Sequence, residues 1–449
     1  MRRFRSLPVF AMMILLCAQG AFAGLAEYVQ RPDASYAYEI VETKPLGTST
    51  AEVIKLTSQT WQGIVWQHWL VIVRPQEVAH PETALLLIDG GSVRDKAPAL
   101  DNRETQIVAL VAAQTKSVVA AITQVPNEPL FDGRSEDEII AYTYDKFLKG
   151  EGEDWPLLFP MCKSAVRAMD TVQKVAREKH RQEIKGFVLT GGSKRGWTSW
   201  LTAASGDARV KAIAPVVIDV LNMEPQMKRQ MQVYGGYSEQ VEDYSKLQIQ
   251  ERMSSPEGKK LLSLVDPYSY RDRLVMPKLM ILGTNDPYWT VDAANLYFPD
   301  LKGPKYLYYQ ANIGHDVSLD GVAVLSQFYN ATAAGKPFPE VAWKSDDKGN
   351  LEVTWDRQDG KAVLWQTTSP NRDFRKSTWT SNTIEGAGKA NVHMTAPEQG
   401  WLAFYVEVRF PGDFGFDFGS CTQMTVVPDT FPTEGRTYDL QKRAQQAGK

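Results

Sequence analysis

Phe187-Val-Leu-Thr190-Gly191-Gly192-Ser193-Lys194-Arg195-Gly196-Trp197 decides how the rest of this chain is read. An apolar run stops at two glycines and a serine, and helix-compatible residues follow, so the pattern is strand, sharp turn and helix with Ser193 at the corner. A strained strand-to-helix corner of this kind lifts a serine hydroxyl clear of a sheet, and small residues two places before and after it let the backbones pass closely. Gly191 stands two before; two after stands Arg195, with Gly196 one step later. The stretch is therefore a variant of G-x-S-x-G, and Ser193 reads equally as a plain N-cap in a glycine-rich corner until partners for it are found.

On either side of this corner, short apolar runs alternate with helical patterns. Residues 24–60 are a mixed lead-in, and residues 66–73 are rich in aromatic and β-branched residues. Residues 84–88 form a continuous apolar run ending at Asp89-Gly90-Gly91-Ser92, and a second run covers 117–123, with helical spacing at 101–115 between them. Helical periodicity returns at 138–147 and 164–177, ahead of the strand at 186–190. Downstream, 210–219 is a strand with Pro215 marking its end or a bulge, and strands at 277–282 and 305–309 flank a helix-like 291–298. Continuous apolar runs of this length suit strands buried on both faces. Their alternation with helices implies a mostly parallel sheet with right-handed crossovers and a ligand crevice at the carboxyl ends of its strands.

Two segments leave that rhythm. From about 223 to 275 a polar helical stretch containing Met and Tyr reads as an inserted cap. Beyond a linker at 334–339, short alternating runs at 351–355, 362–367, 391–395 and 401–410 are parted by Gly, Pro, Asn and Asp, the pattern of a β-sandwich. The expected fold is thus α/β: an α/β-hydrolase-like domain over 24–335 with a helical cap, then an immunoglobulin-like β-sandwich over 336–449.

The 449 residues carry a formal net charge of −3, which gives no basic field for nucleic acid. No segment after residue 23 approaches the roughly 20 apolar residues that span a bilayer. Residues 1–23 have a cationic start, an apolar run at 7–17 and Ala21-Phe22-Ala23 before Gly24, which reads as a secretory signal peptide and implies a periplasmic or secreted protein. Cys162 and Cys421 then remain; that compartment allows one disulfide, spacing does not give it, and two buried free thiols are the other reading. Alternation puts most of Trp355, Trp365, Trp379 and Trp401 in a core rather than on a carbohydrate-binding face.

A nucleophilic serine needs a base, since its hydroxyl is nearly inert at neutral pH, and the base needs a carboxylate to orient it. In this fold class the order is Ser, then Asp or Glu, then His. Of five histidines only His315 and His393 follow Ser193, and His393 lies within an alternating strand. His315 sits in Asn312-Ile-Gly-His315-Asp316, just past the last sheet strand. Asp286, in Gly283-Thr-Asn-Asp286-Pro-Tyr-Trp289 at the end of the preceding strand, is the expected acid, with Asp219 as the alternative. The oxyanion donors expected are the N–H of Lys194 and the Gly90-Gly91 turn. The Lys194 and Arg195 side chains read as a salt-bridged helix start or as a site for a substrate carboxylate. No cofactor or metal is called for.

Several motifs together resemble the PhoPQ-activated pathogenicity-related proteins: Gln124-Val-Pro-Asn127, Ser135-Glu-Asp-Glu-Ile-Ile-Ala-Tyr-Thr143, Trp155-Pro-Leu-Leu-Phe-Pro-Met161, Lys163-Ser-Ala-Val-Arg-Ala-Met-Asp170, the Ser193 corner and the Asp286 loop. The resemblance implies a secreted α/β-hydrolase with a serine at position 193, and a link to virulence or resistance to antimicrobial peptides. The function expected is an exported serine hydrolase acting on a peptide or small ester through Ser193, His315 and Asp286. Its rival is a non-catalytic peptide- or partner-binding protein on a hydrolase scaffold, a reading kept open by Arg195.

Overall fold

The computed structural model describes residues 24–433; the expected signal peptide at 1–23 lies outside the described residues. One sheet organises the first three quarters of the chain. Its strands are β1 (Ala37–Leu46), β2 (Ser49–Trp61), β3 (Ile64–Pro75), β4 (Thr83–Ile88), β5 (Val118–Ile122), β6 (Gly186–Gly192), β7 (Val210–Val216), β8 (Lys278–Gly283) and β9 (Lys305–Gln310). Their spatial order is β1-β2-β3-β5-β4-β6-β7-β8-β9. From β5 across to β9 every pairing is parallel, whereas β1, β2 and β3 join antiparallel. This is an α/β-hydrolase-like sheet. β4 (TALLLI) and β5 (VVAAI) are apolar along almost their whole length because helices cover both of their faces.

Those helices are α1 (Leu25–Gln30), α2 (Arg103–Thr115), α3 (Glu136–Leu148), α4 (Leu158–His180) and α5 (Lys194–Ala204), then the inserted α6 (Met223–Tyr234), α7 (Glu242–Lys246), α8 (Ile249–Arg252) and α9 (Pro256–Val265), and finally α10 (Leu319–Ala333). α4 packs on α5 and α1, and α2 packs on α10, so the two groups form separate layers against the sheet. The insertion between β7 and β8 is helical, as the cap pattern implies.

Two expectations need correction. The lead-in at 24–60 holds the long strands β1 and β2; β1 lies at the sheet edge with its residues exposed or half-buried, so little apolar alternation marks it. Residues 291–298 form only the short 3₁₀ turn Ala293–Leu296 and the start of a second at Phe298–Asp300.

Beyond α10 come β10 (Val341–Ser345), β11 (Asn350–Trp355), β12 (Lys361–Ser369), β13 (Thr380–Ile384), β14 (Lys389–His393), β15 (Trp401–Pro411), β16 (Asp417–Cys421) and β17 (Thr425–Val427). They form two antiparallel sheets, β10-β11-β14 and β13-β12-β15-β16, with β17 also on β15. Trp355 and Trp379 are buried and Trp365 and Trp401 half-buried. This part packs directly on the α/β sheet: the Tyr309 and Tyr405 rings lie 5.1 Å apart, and the Tyr309 N–H meets Cys421 Sγ at 3.4 Å. Cys162 and Cys421 are both buried free thiols.

Candidate active site

Ser193 joins β6 to α5 with φ 54° and ψ −126°, and its side chain makes no capping bond, so it does not act as the plain N-cap that the sequence also allows. A non-glycine residue in this region is strained, and such strain gathers at sites where one side chain must be presented. The spacing variant has a geometric reason. A Cβ on Gly191 would lie 2.7 Å from the Ile88 carbonyl oxygen, and one on Gly196 would lie 2.8 Å from the Gly191 oxygen and 2.7 Å from Ile218 Cγ2. Gly196 thus serves the close helix-strand approach for which the usual pattern uses the position of Arg195.

Arg195 is turned away into an ion pair in which its own side chain is buried and that of Glu136 is partly exposed. Its Nη1 and Nη2 donate to the two Glu136 carboxylate oxygens at 2.8 Å each, and its Nε donates to the Val125 carbonyl at 2.6 Å. Beside it, Lys194 Nζ lies 2.9 Å from Asp137 Oδ2 and 3.2 Å from Glu136 Oε2. Two cations at a helix N-terminus oppose the helix dipole. The acidic first turn of α3 offsets them. Burial pushes the Glu136 carboxyl up, but the Arg195 and Lys194 cations outweigh it and hold the group at about 2. Of the two roles open to these cations in the sequence, the structure has the salt-bridged helix start.

His315 stands in the loop between β9 and α10, and its Nδ1 is 2.8 Å from Asp286 Oδ2. Among the described residues its Nε2 is buried without a hydrogen-bond partner. Ser193 and His315 line the same two cavities, one on each side of them. The acid and base loops touch directly: a Cβ on Gly283 would collide with the Gly314 oxygen, and the Asn285 N–H donates to the Ile313 carbonyl at 3.0 Å. Tyr288 lies tilted against the His315 ring, centroids 4.4 Å apart and planes at 33°, and its hydroxyl donates to Asp137 Oδ2 at 3.1 Å.

The C-terminal part braces both loops. Asn285 Nδ2 donates to the Ser377 and Arg375 carbonyls at 2.7 and 3.2 Å. Asn312 exchanges two bonds with Trp379, donating to its carbonyl at 3.0 Å and accepting from its N–H at 2.7 Å. Sequence reasoning missed Asn285, Asn312, Asp137, Glu136 and Tyr288 as site neighbours; all except these bracing contacts were signalled by the motifs around Ser135 and Asp286.

Asp219 sits apart from His315. Its carboxylate accepts from the Tyr297 hydroxyl at 2.5 Å, and burial, assisted by Asp286 and Asp292, pushes its pKa up to about 7. Gly90 also differs from expectation. Its N–H donates to Asp89 Oδ1 at 2.8 Å, and the Arg195 guanidinium lies where its Cβ would be. Gly90 and Gly91 line a neighbouring cavity with Arg195 and Glu136. Lys194 keeps its helix-initial position: the first i→i−4 bond of α5 is donated by Trp197, so the Lys194 N–H precedes the ladder. A second serine-imidazole contact, Ser58 Oγ to His68 Nε2 at 2.9 Å, is of another kind. His68 is fully buried, which pushes its pKa down to about 4, and Nδ1 is within bonding distance of the Thr123 and Gln124 carbonyls.

The cap supplies the walls of one cavity with Met223, Met227, Val241, Tyr244 and Met253, opposite Trp289. Among the described residues no group of three or more His, Cys, Asp or Glu side chains is placed to hold a metal ion, and no helix is long and apolar enough to cross a membrane.

Similarity to known proteins runs along the same part of the chain. The profile of a family described as "PhoPQ-activated pathogenicity-related protein" matches residues 25–375. Autocrine proliferation repressor protein A of Dictyostelium discoideum is 30% identical, with 91% of each chain covered. Among solved structures, acetyl xylan esterase from Paenibacillus sp. R4 superposes with a TM-score of 0.49 at 17% identity, over 68% of this chain and 92% of that one. An S-formylglutathione hydrolase from Agrobacterium tumefaciens gives 0.43 at 13% identity, over 66% and 99%.

Proposed function

The chain belongs to the PhoPQ-activated pathogenicity-related protein family, and from that premise we propose that it is an exported serine hydrolase cleaving a peptide or small ester bond. One observation carries the reading: His315 is held at Nδ1 by Asp286 while its Nε2 is buried and unpartnered among the described residues, and His315 lines the same cavities as Ser193. Asp286 keeps the proton on Nδ1, which leaves Nε2 as the base. As Ser193 Oγ bonds to the substrate carbonyl carbon, its proton passes to Nε2 and negative charge moves to the carbonyl oxygen. The Lys194 N–H, at the positive end of α5, stabilises that oxygen, and the Gly91 N–H is the remaining donor from the β4 loop. His315 then gives the proton to the departing alcohol or amine. Water, deprotonated by the same nitrogen, cleaves the acyl-enzyme and releases the acid.

Paired ester and peptide substrates, given to the protein lacking residues 1–23, test this. Ser193→Ala and His315→Ala each lower kcat by about 10⁴-fold or more. Activity within tenfold of the parent in either variant overturns the assignment.

A further inference from the structure

Ser193 and His315 stand between two chambers of unequal size. The chamber under the cap holds about 60 Å³, less than half of the roughly 150 Å³ that admits a benzene ring. The other holds about 330 Å³. It descends between α2 and α10 onto the sheet, and its walls are aliphatic: Leu85 and Leu87 from β4, Val108 and Val111 from α2, Val322 and Leu325 from α10. Leu85 pairs with Val188, five residues ahead of Ser193, so the floor lies about 16 Å down the sheet from the serine.

From this we infer that the scissile carbonyl of the substrate carries an unbranched aliphatic chain of medium length, housed between α2 and α10; the inference rests on the hydrolase reading and narrows its substrate class. A peptide in this chamber would bring backbone N–H and C=O groups against Leu and Val side chains, leaving them unpaired at a cost that an alkyl chain avoids. The charged lining residues Asp89, Arg103, Glu104 and Asp316 lie in the loops after β4 and β9 or in the first turn of α2, so charge stays near the reacting bond and the depth is left to hydrocarbon. The small cap chamber takes the group on the opposite side of the carbonyl.

Two ester series distinguish an acyl chain from an alcohol chain: p-nitrophenyl esters from acetyl to dodecanoyl, and acetate esters of straight-chain alcohols of the same lengths. In the acyl series kcat/KM rises about threefold to fourfold per methylene until the chamber is full. Val322→Trp, at a half-buried position on α10, fills the chamber and moves the optimum to the shortest members. Binding gives a second readout without turnover: the Ser193→Ala protein binds dodecanoate by titration calorimetry, and adding Val322→Trp abolishes it. An optimum at the shortest member of the acyl series, or a length profile or dodecanoate binding unaltered by Val322→Trp, overturns the inference. If the protein cleaves acetyl esters without length dependence, only the inference falls. If it cleaves no ester or peptide and a fluorophosphonate leaves it unlabelled, the hydrolase reading falls with it.

Discussion

Gly196→Ala probes why the corner at Ser193 is built with its second glycine displaced. The new methyl would meet Ile218 Cγ2 at 2.7 Å, the Gly191 oxygen at 2.8 Å and the Val216 nitrogen at 3.3 Å. Two of those atoms are backbone of the strands beneath, so rotamer changes cannot relieve the crowding. Overpacking of this kind costs about 1–3 kcal/mol; alanine's better helix propensity returns up to about 1 kcal/mol. The net expectation is a loss of about 1–2 kcal/mol, with the start of α5 displaced from the sheet. Because Ser193 is the residue before that helix, the displacement moves its hydroxyl relative to His315, and a shift approaching 1 Å costs on the order of 10²-fold in rate. Gly192→Ala is the matched control: a Cβ there meets nothing within 4 Å, so stability stays within about 0.5 kcal/mol. Urea unfolding gives the two stabilities, and the rate of fluorophosphonate labelling gives the reactivity of Ser193. If Gly196→Ala matches Gly192→Ala in midpoint and labelling rate, the close approach does not hold the corner in place and the reasoning fails.

Further predictions concern the loops and the buried charges. Gly283→Ala drives a methyl into the Gly314 carbonyl, and kcat should fall about 10²-fold or more as His315 parts from Asp286, with KM little changed. Asn312→Gly keeps the backbone at φ 60° while removing both bonds to Trp379; a roughly tenfold lower kcat with a preserved fold by circular dichroism shows that the C-terminal sheets position the base. Asp219, with its pKa raised from 3.8 to about 7, binds a proton more tightly folded than unfolded, so it weakens the fold progressively as pH rises between those values. Asp219→Asn should therefore gain about 2–4 kcal/mol relative to the parent from pH 4 to pH 8 in urea titrations. Glu136 has the opposite sign: lowered from 4.5 to about 2, it supports the fold above 4.5 and loses that support as pH falls towards 2. With its side chain 41% exposed, the effect is about 1 kcal/mol after solvent screening, and Arg195→Met should shrink it.

What could be read in the sequence follows the strength of its signals. The parallel strands announce themselves because burial on both faces makes β4 and β5 almost wholly apolar. β1 escaped because an edge strand buries little and alternates faintly. The candidate Ser193, Asp286 and His315 followed from chain order and strand ends, and Asp286 and His315 are in hydrogen-bond contact. The significance of Arg195 did not follow. Read alone it broke a motif and favoured a non-catalytic rival; its partner Glu136 lies 59 residues away in sequence, and only the ion pairs between the first turn of α3 and the start of α5 give it a role. Gly90 failed as a donor for a similar reason, since nothing local tells that Asp89 takes its N–H and Arg195 covers it. The bracing of Asn285 and Asn312 by residues 375–379 is likewise a long-range contact that no periodicity encodes.

The central claim is that Ser193 is the nucleophile. Peptide mass spectrometry after fluorophosphonate treatment tests it most directly: the parent protein should carry one phosphonate, on the peptide containing Ser193, and Ser193→Ala should carry none. A Ser193→Ala protein labelled as fully as the parent, or a folded parent that takes up no phosphonate, contradicts it.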